Sequence, residues 1–270
     1  MMHPRVCLHQ VGFLSESTSA FIHFCREIGV RHMTLVNPHM LGANVLAEAL
    51  TALEPGGTSV TNLTQPFARY PDIERDTGAA AQSLNQAIEA AAALGAPNLY
   101  IVTGSRGSLD WEDAAVRLAE LIAPCRELAT ARGVALLVET ANLLNADIHI
   151  AHTLDDTIRL AQIAKIGVCI DLGACWFEGG LHDKFRRAMP TTRLVQVSDY
   201  VLGDRSTPCR AVPGDGVVPL DRLISQLLGL GYEGVFDIEL TGPRITGEGH
   251  RAAFRRAAEN LSELLTELGA

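Results

Sequence analysis

The chain lacks the long apolar runs that membrane insertion or secretion requires. No stretch of its 270 residues approaches the roughly 18 consecutive apolar residues of a membrane-spanning helix. Its first residues, Met1 to Arg5, lead directly into an apolar strand without the hydrophobic segment of a secretory signal. These absences predict a cytoplasmic protein that does not insert into a membrane.

Positive charge is also scarce. The chain has 22 Lys and Arg residues against 31 Asp and Glu residues, which gives a net charge of −9. Its longest basic runs, at 186–187 and 255–256, are two residues each. A nucleic-acid-binding surface needs a basic stripe, so no nucleic-acid partner is expected.

The six cysteines form no recognisable pattern, and no CxxC pair is present. Cys7 and Cys169 lie within predicted strands, where cysteine behaves as a small apolar residue. We therefore expect neither a disulfide framework nor a cysteine-based zinc site, and reduced thiols agree with a reducing compartment.

Nearly half of the residues are apolar, and many of them fall into eight short runs that alternate with helical segments. Strict alternation predicts parallel strand pairing with right-handed crossovers. An open doubly wound sheet could use the same units, but eight units without a GxGxxG turn after the first strand favour a barrel. We therefore predict an α/β fold, a single (β/α)8 TIM barrel formed by one domain over residues 1–270. The predicted strands are 6–9, 32–36, 59–63, 99–102, 135–138, 168–170, 193–197 and 234–238, and one helix is predicted over each of 72–94 and 112–131.

Four of the later strands lead into a residue that can bind a metal: Glu139, Asp171, Gln196 and Glu239. In a closed barrel the C-terminal strand ends face one mouth, so these side chains are expected to meet. Three carboxylates at one mouth would repel one another unless a cation lay between them. Two Glu, one Asp and one amide suit Mn2+ or Mg2+ best, with Co2+ and Zn2+ as further candidates. The alternative is that each acid merely caps a helix or lies at the surface.

Short motifs around these strand ends carry a resemblance to a known family. The chain resembles the xylose-isomerase-like sugar isomerase and epimerase family, which includes tagatose-type ketose 3-epimerases, hydroxypyruvate isomerase and inosose-processing enzymes. The resemblance covers nearly the whole chain in strand order, and it is more specific for the family than for a substrate. The motifs are Leu-Val-Glu at 137–139, Cys-Ile-Asp-Leu-Gly at 169–173, Val-Gln-Val-Ser-Asp at 195–199, Pro-Gly-Asp-Gly at 213–216 and Asp-Ile-Glu at 237–239.

The resemblance implies a site as well as a fold. In the family, four ligands at the ends of strands five to eight hold one divalent ion, and these positions match Glu139, Asp171, Gln196 and Glu239. The pair Glu139 and Glu239 resembles the acid/base pair of the epimerases. The family also implies self-association into dimers or tetramers.

Three positions bear on how far the family pattern extends to this chain. Many members have His at the position of Gln196, although the hydroxypyruvate isomerase branch is similar to this chain in using Gln. Ala174 stands where the family often has a His that contacts a substrate oxygen. The family often has an Arg shortly after the seventh strand, a place that Arg205 or Arg210 could take.

The chemistry that such a site supports is proton transfer alpha to a carbonyl, because a cation stabilises the enediolate that forms. We expect an isomerase or epimerase of a small polyhydroxy carbonyl compound, with a dehydratase or lyase of a cyclic or non-sugar substrate as the alternative. Phosphodiester cleavage is disfavoured by the acidic charge, and a barrel that only binds is disfavoured by the complete ligand set. The predicted substrate-binding residues are His9, Asn37, Arg205 and Trp176.

Overall fold

Eight parallel strands pair in sequence order and close into a barrel, which confirms the predicted fold. The computed structural model describes residues 1–67 and 71–270. Closure is made by β1 and β8, where Cys7 pairs with Asp237. The strands are β1 (Val6–His9), β2 (His32–Val36), β3 (Ser59–Pro66), β4 (Asn98–Val102), β5 (Ala135–Glu139), β6 (Gly167–Asp171), β7 (Thr192–Val197) and β8 (Phe236–Ile238).

Helices lie between the strands and cover the outside of the barrel. Those of the described residues are α1 (Thr18–Glu27), α2 (Pro38–Leu41), α3 (Val45–Leu53), α4 (Ala79–Leu94), α5 (Trp111–Leu121), α6 (Ala123–Arg132), α7 (Leu154–Ala164), α8 (Leu172–Cys175), α9 (Leu181–Ala188), α10 (Leu220–Gly229), α11 (Pro243–Glu248) and α12 (His250–Glu267). Within residues 1–67 and 71–270, no helix combines the length and hydropathy that crossing a bilayer demands.

Two predicted helices differ from the structure, each for a local reason. The helix predicted over 72–94 begins only at Ala79, because the carboxylate of Asp76 accepts hydrogen bonds from the backbone N–H groups of residues 78–80 and so fixes the start. The helix predicted over 112–131 is divided at Ile122 into α5 and α6. Pro124 has no N–H to continue the hydrogen bonding of α5, which explains the break.

Strand residues alternate between two cores. One side of each strand packs against the helices in a large apolar core, which includes Leu136 and Val138 of β5. The other side faces the barrel interior, where Tyr100, Leu137, Cys169 and Leu194 form a small separate cluster. This alternation is the ordinary geometry of a strand. It places Glu139 on the interior side with Leu137, at the end of the barrel.

The closing helix α12 packs closely on the turn after β1. A Cβ atom added at Gly12 would lie 2.8 Å from the carbonyl oxygen of Leu240 and 2.4 Å from the ring of Phe254. A side chain at position 12 would therefore force apart the first turn, the end of β8 and α12.

Candidate metal centre

Three carboxylates meet at the C-terminal mouth of the barrel. Glu139 ends β5, Asp171 ends β6, and Glu239 directly follows β8. One oxygen of each lies within 4.8 Å of the others, with Glu139 and Asp171 buried and Glu239 half-buried. The structure thus brings together the three carboxylates that were expected to meet at the mouth.

Burial and mutual repulsion disturb the ionisation of this cluster. Burial raises the pKa of Glu139 well above its usual range, and the nearby charges of Glu239 and Asp171 raise it further. Burial raises the pKa of Glu239 to about 7, against the opposing effect of the Arg210 guanidinium. Such a site favours either protons or a cation between the carboxylates.

Arg210 lies directly against the carboxylate cluster. Its two terminal nitrogens donate to the two carboxylate oxygens of Asp171, and one of them also lies 3.2 Å from Glu239 Oε2. The same guanidinium donates to the hydroxyl of Ser198 at 2.9 Å. Burial opposes the charge of Arg210, but the carboxylates of Asp171 and Glu239 outweigh it and raise its pKa. Arg210 is thus a permanent cation at the centre of the mouth.

The loop that carries Arg210 is fixed by Asp199, which lies just beyond β7. The backbone of Asp199 pairs with that of Ala211 in a short antiparallel bridge. The Asp199 carboxylate accepts hydrogen bonds from the N–H groups of Gly214, Gly216 and Val218. The absence of a side chain at Gly173 leaves room for the Arg210 guanidinium, since a Cβ atom at position 173 would lie 2.4 Å from Arg210 Nη1. Arg205, the other arginine that the sequence suggested, is exposed on the outer part of the same loop.

Gln196 lies beside the carboxylates on β7, paired in register with Asp171. Its amide nitrogen donates to the Tyr100 hydroxyl at 3.2 Å, and a hydrogen bond from its side chain opposes the rise in the pKa of Glu139. Its amide oxygen accepts from the Cys169 thiol, a weak donor, at 3.2 Å. The amide nitrogen of Gln196 thus faces Glu139 and Tyr100, and the amide oxygen faces the Cys169 thiol.

The other predicted contact residues have varied surroundings. His9 is buried, with Nδ1 accepting from the Val11 N–H and Nε2 lying 2.6 Å from the Tyr100 hydroxyl. Asn37 is buried and donates to Gln65 at 2.6 Å. Trp176 is half-buried at the edge of the mouth. His9 therefore contacts Tyr100 inside the barrel, whereas Trp176 lies at the edge of the mouth.

The donor set fits a divalent cation. The oxygens of Glu139, Asp171 and Glu239 are close enough to share one ion, and Gln196 lies next to them on β7. Hard ions such as Mn2+ and Mg2+ prefer such ligands. The Arg210 contacts satisfy the same carboxylates, so the guanidinium and an ion would compete for Asp171.

The fold and this cluster define a (β/α)8 barrel with a candidate metal centre at its C-terminal mouth. A family model described as xylose isomerase-like TIM barrel matches residues 22–266, and the chain belongs to this family. The resemblance deduced from the strand-end motifs is therefore confirmed. No curated protein sequence matches the chain.

Solved structures with the same fold include several enzymes. The IolI protein with a bound zinc atom is 15% identical, with 98% of this chain and 99% of that chain covered and a TM-score of 0.82. D-psicose 3-epimerase from Clostridium cellulolyticum H10, solved with D-tagatose, is 15% identical, with 99% of each chain covered and a TM-score of 0.78. The probable 3-DHS dehydratase AsbF from Bacillus anthracis is 15% identical, with 97% and 98% covered and a TM-score of 0.73. At these identities the similarity shows the fold alone.

Sequence reasoning missed the part that Tyr100 plays in the site. The apolar run of β4 predicts only a strand, but Tyr100 is two residues from Asn98 and from Val102 and so shares their interior side. A polar atom on the interior side of an otherwise apolar strand is the signal that could have identified it.

Proposed function

We propose that the protein is a divalent-metal-dependent isomerase or epimerase of a small polyhydroxy carbonyl compound. The observation that supports this proposal is the meeting of Glu139, Asp171 and Glu239 within 4.8 Å in a buried mouth. The enzymes of the same fold and family, including a ketose epimerase, are consistent with it.

Glu139, Asp171, Gln196 and Glu239 would hold the ion, with Mn2+ or Mg2+ as the preferred metal and Co2+ or Zn2+ as further candidates. A bound divalent ion would stabilise the negative charge that develops on a carbonyl oxygen when the adjacent C–H bond loses its proton. The zinc found in the IolI protein supports a metal in this family without identifying the one used here.

Glu139 and Glu239 would move the proton. One carboxylate takes it from the carbon next to the carbonyl, and the other returns it on the opposite face or at the neighbouring carbon. Their positions at the ends of β5 and β8, on either side of the proposed ion, would let them reach the two faces of one substrate carbon.

We propose His9, Asn37, Arg205 and Trp176 as substrate contacts, and Arg210 with them because its guanidinium contacts Asp171 and Glu239. With a metal at the carboxylates, the guanidinium can turn part of its donors toward a substrate oxygen while Ser198 still holds it. Its fixed positive charge would stabilise an oxyanion next to the reacting carbon.

A dehydratase or lyase is the second candidate. It is favoured by Ala174, which is buried, lines the mouth and cannot contact a substrate oxygen as a His would. The same barrel supports a probable dehydratase in AsbF. Proton removal by the same carboxylate, followed by loss of a β-hydroxyl group, would give this outcome.

We further propose that the protein acts in the cytoplasm on a small molecule and associates with copies of itself. All six cysteines are free, five of them buried, which agrees with a reducing compartment. The net charge of −9 gives no support to a nucleic-acid partner.

The metal centre is tested by elemental mass spectrometry of the purified protein beside the Glu139→Ala and Asp171→Ala variants. We expect about one equivalent of metal per chain in the wild type and its loss in both variants. Retention of metal by both variants, or no metal after incubation with Mn2+, would contradict the proposed centre.

The acid/base role is tested by Glu239→Gln in a screen of ketoses, keto acids and inososes, with circular dichroism as a control for folding. Turnover should disappear while the fold remains. An active Glu239→Gln protein would remove Glu239 from the proton-transfer step.

A further inference from the structure

An open groove lies between the loops that follow β5, β6 and β7. We call it the outer groove and define it by Asn142, Leu144, Trp176, Phe177, Tyr200 and Cys209. Its volume is about 460 Å3. That is in the range of cavities that bind small molecules.

The outer groove adjoins an inner pocket that reaches Arg210. This inner pocket, lined by Ala174 and Arg210, shares Asn142, Leu144 and Tyr200 with the groove. Because Arg210 contacts Asp171 and Glu239 directly, a molecule in the groove lies at the entrance to the reacting centre.

Exposed apolar side chains form one part of the groove wall, beside the polar residues Asp204, Arg205 and Ser206. Phe177 is 60% exposed and Leu144 is 63% exposed. Trp176 packs edge-on against Phe177, with ring centroids 6.0 Å apart. The ring centroids of Trp176 and Tyr200 are 6.1 Å apart, and the two ring planes are inclined by 33°. Exposed apolar side chains gathered at a concave site indicate a ligand surface.

The aromatic wall is held in place by the protein itself. The hydroxyl of Tyr200 donates to the carbonyl oxygen of Asp204 at 2.9 Å, which fixes the ring against the loop. The carboxylate of Asp204 accepts from Ser206 and lies near Arg244. The charge of Asp204 is therefore already satisfied, and the ring of Tyr200 is held in the groove wall.

We propose that the outer groove binds an apolar ring, such as an aryl group, carried by the substrate beyond its reacting carbonyl. This inference rests on the proposed function, because it places the carbonyl end of the same molecule at Arg210 and the carboxylates. A free ketose has no apolar part to cover Leu144, Phe177 and Trp176. The adjoining inner pocket, which reaches Arg210, favours the substrate over a second copy of the chain as the occupant.

The test uses three α-hydroxy ketones that share one head group. Hydroxyacetone carries a methyl group, 2-hydroxyacetophenone carries a phenyl group directly, and 1-hydroxy-4-phenylbutan-2-one carries it through two methylene groups. Binding to the Mn2+-incubated full-length protein is measured by titration calorimetry. We expect at least one phenyl compound to bind about tenfold or more tightly than hydroxyacetone, since burial of a ring in an apolar groove is favourable.

Two variants locate the preference. Leu144→Ser and Phe177→Ser should each reduce the phenyl preference at least threefold, because both side chains are exposed and their loss leaves the core intact. Val116→Ser is the matched control, since Val116 is 50% exposed on α5 but lies outside the groove. The control should keep the wild-type preference.

The failures of the two proposals are distinguishable. Bound metal without any phenyl preference, or a preference that Phe177→Ser and Leu144→Ser leave unchanged, overturns the ring-binding groove. A phenyl preference that these variants remove, in a protein that takes up no metal, supports the groove and overturns the metal-dependent reaction. A wild-type oligomer that Phe177→Ser dissociates, with no phenyl preference, assigns the groove to a second copy of the chain and overturns the inference.

Discussion

The imidazole of His9 and the hydroxyl of Tyr100 lie 2.6 Å apart inside the barrel. His9 Nδ1 accepts from the Val11 N–H, so in the neutral ring Nε2 carries the proton and donates to Tyr100. Burial lowers the pKa of His9 and keeps the ring neutral. The Tyr100 oxygen is therefore an acceptor, and it selects the amide nitrogen of Gln196 as its second donor. The amide oxygen of Gln196 is thereby turned away from Tyr100.

Tyr100→Phe should accordingly weaken metal binding. Without the hydroxyl, Gln196 loses the acceptor that fixes its amide, and loss of such a supporting contact typically weakens metal affinity by about 10- to 100-fold. Competition with a chelator measures the change. Tyr232→Phe is a matched control, since it removes another buried hydroxyl, which donates to the Val235 carbonyl. Equal metal affinity in wild type and Tyr100→Phe would contradict the positioning role.

Arg210→Ala should destabilise the metal-free protein and enlarge its response to metal. Removing one partner of a buried ion pair leaves the other charges uncompensated, at a cost of about 3 kcal/mol. Added Mn2+ should raise the Tm of the variant more than it raises the Tm of the wild type, because no guanidinium competes with the ion for Asp171 in the variant. Thermal unfolding with and without Mn2+ measures both effects, and the exposed Arg205→Ala serves as control. An unchanged metal response would show that Arg210 does not compete with the ion.

The stability of the metal-free protein should depend on the ionisation of Glu239. Burial raises the pKa of this carboxyl from 4.5 to about 7. A group that holds its proton more firmly when folded contributes its full stability below the unfolded pKa and loses it as the pH rises through the folded pKa. The free energy of unfolding should therefore fall by about 2 kcal/mol between pH 4.5 and pH 7 relative to Glu239→Gln. Denaturant titrations across this range would refute the expectation if the two proteins changed in parallel.

Gly12→Ala should destabilise the barrel without touching the metal ligands. The added methyl group would meet both the Leu240 carbonyl and the Phe254 ring, and overpacking of this kind costs about 1–3 kcal/mol. Gly179→Ala is the control, because a Cβ there meets no atom within 4 Å. Urea unfolding should separate the two variants, and equal stability would mean that α12 moves aside freely.

The barrel was predictable because its strands carry a repeated local signal. Each predicted apolar run of three to five residues ends at a turn, and parallel pairing requires no information beyond the order of the units. Where local chemistry competed with composition, prediction was wrong. Asp76 capped α4 later than the alanine-rich segment suggested, and Pro124 divided a segment that composition predicts as one helix.

The carboxylate cluster was predictable for the same reason, since strand ends in a barrel share one mouth. The choice between Arg205 and Arg210 was not, because it depends on a loop whose shape is set by contacts of the Asp199 carboxylate far along the chain. The function of Tyr100 was equally hidden, because its hydrogen bonds join strands β1, β4 and β7.

Cys209 gives the mouth of this barrel a built-in attachment point for a reporter. The other five thiols are buried, whereas Cys209 is half-buried and lies next to Arg210 in the wall of the outer groove. A thiol-directed fluorophore should therefore couple to Cys209 well before it reaches the remaining thiols. Its emission would then follow, in real time, the arrival of a ligand at the entrance of the site.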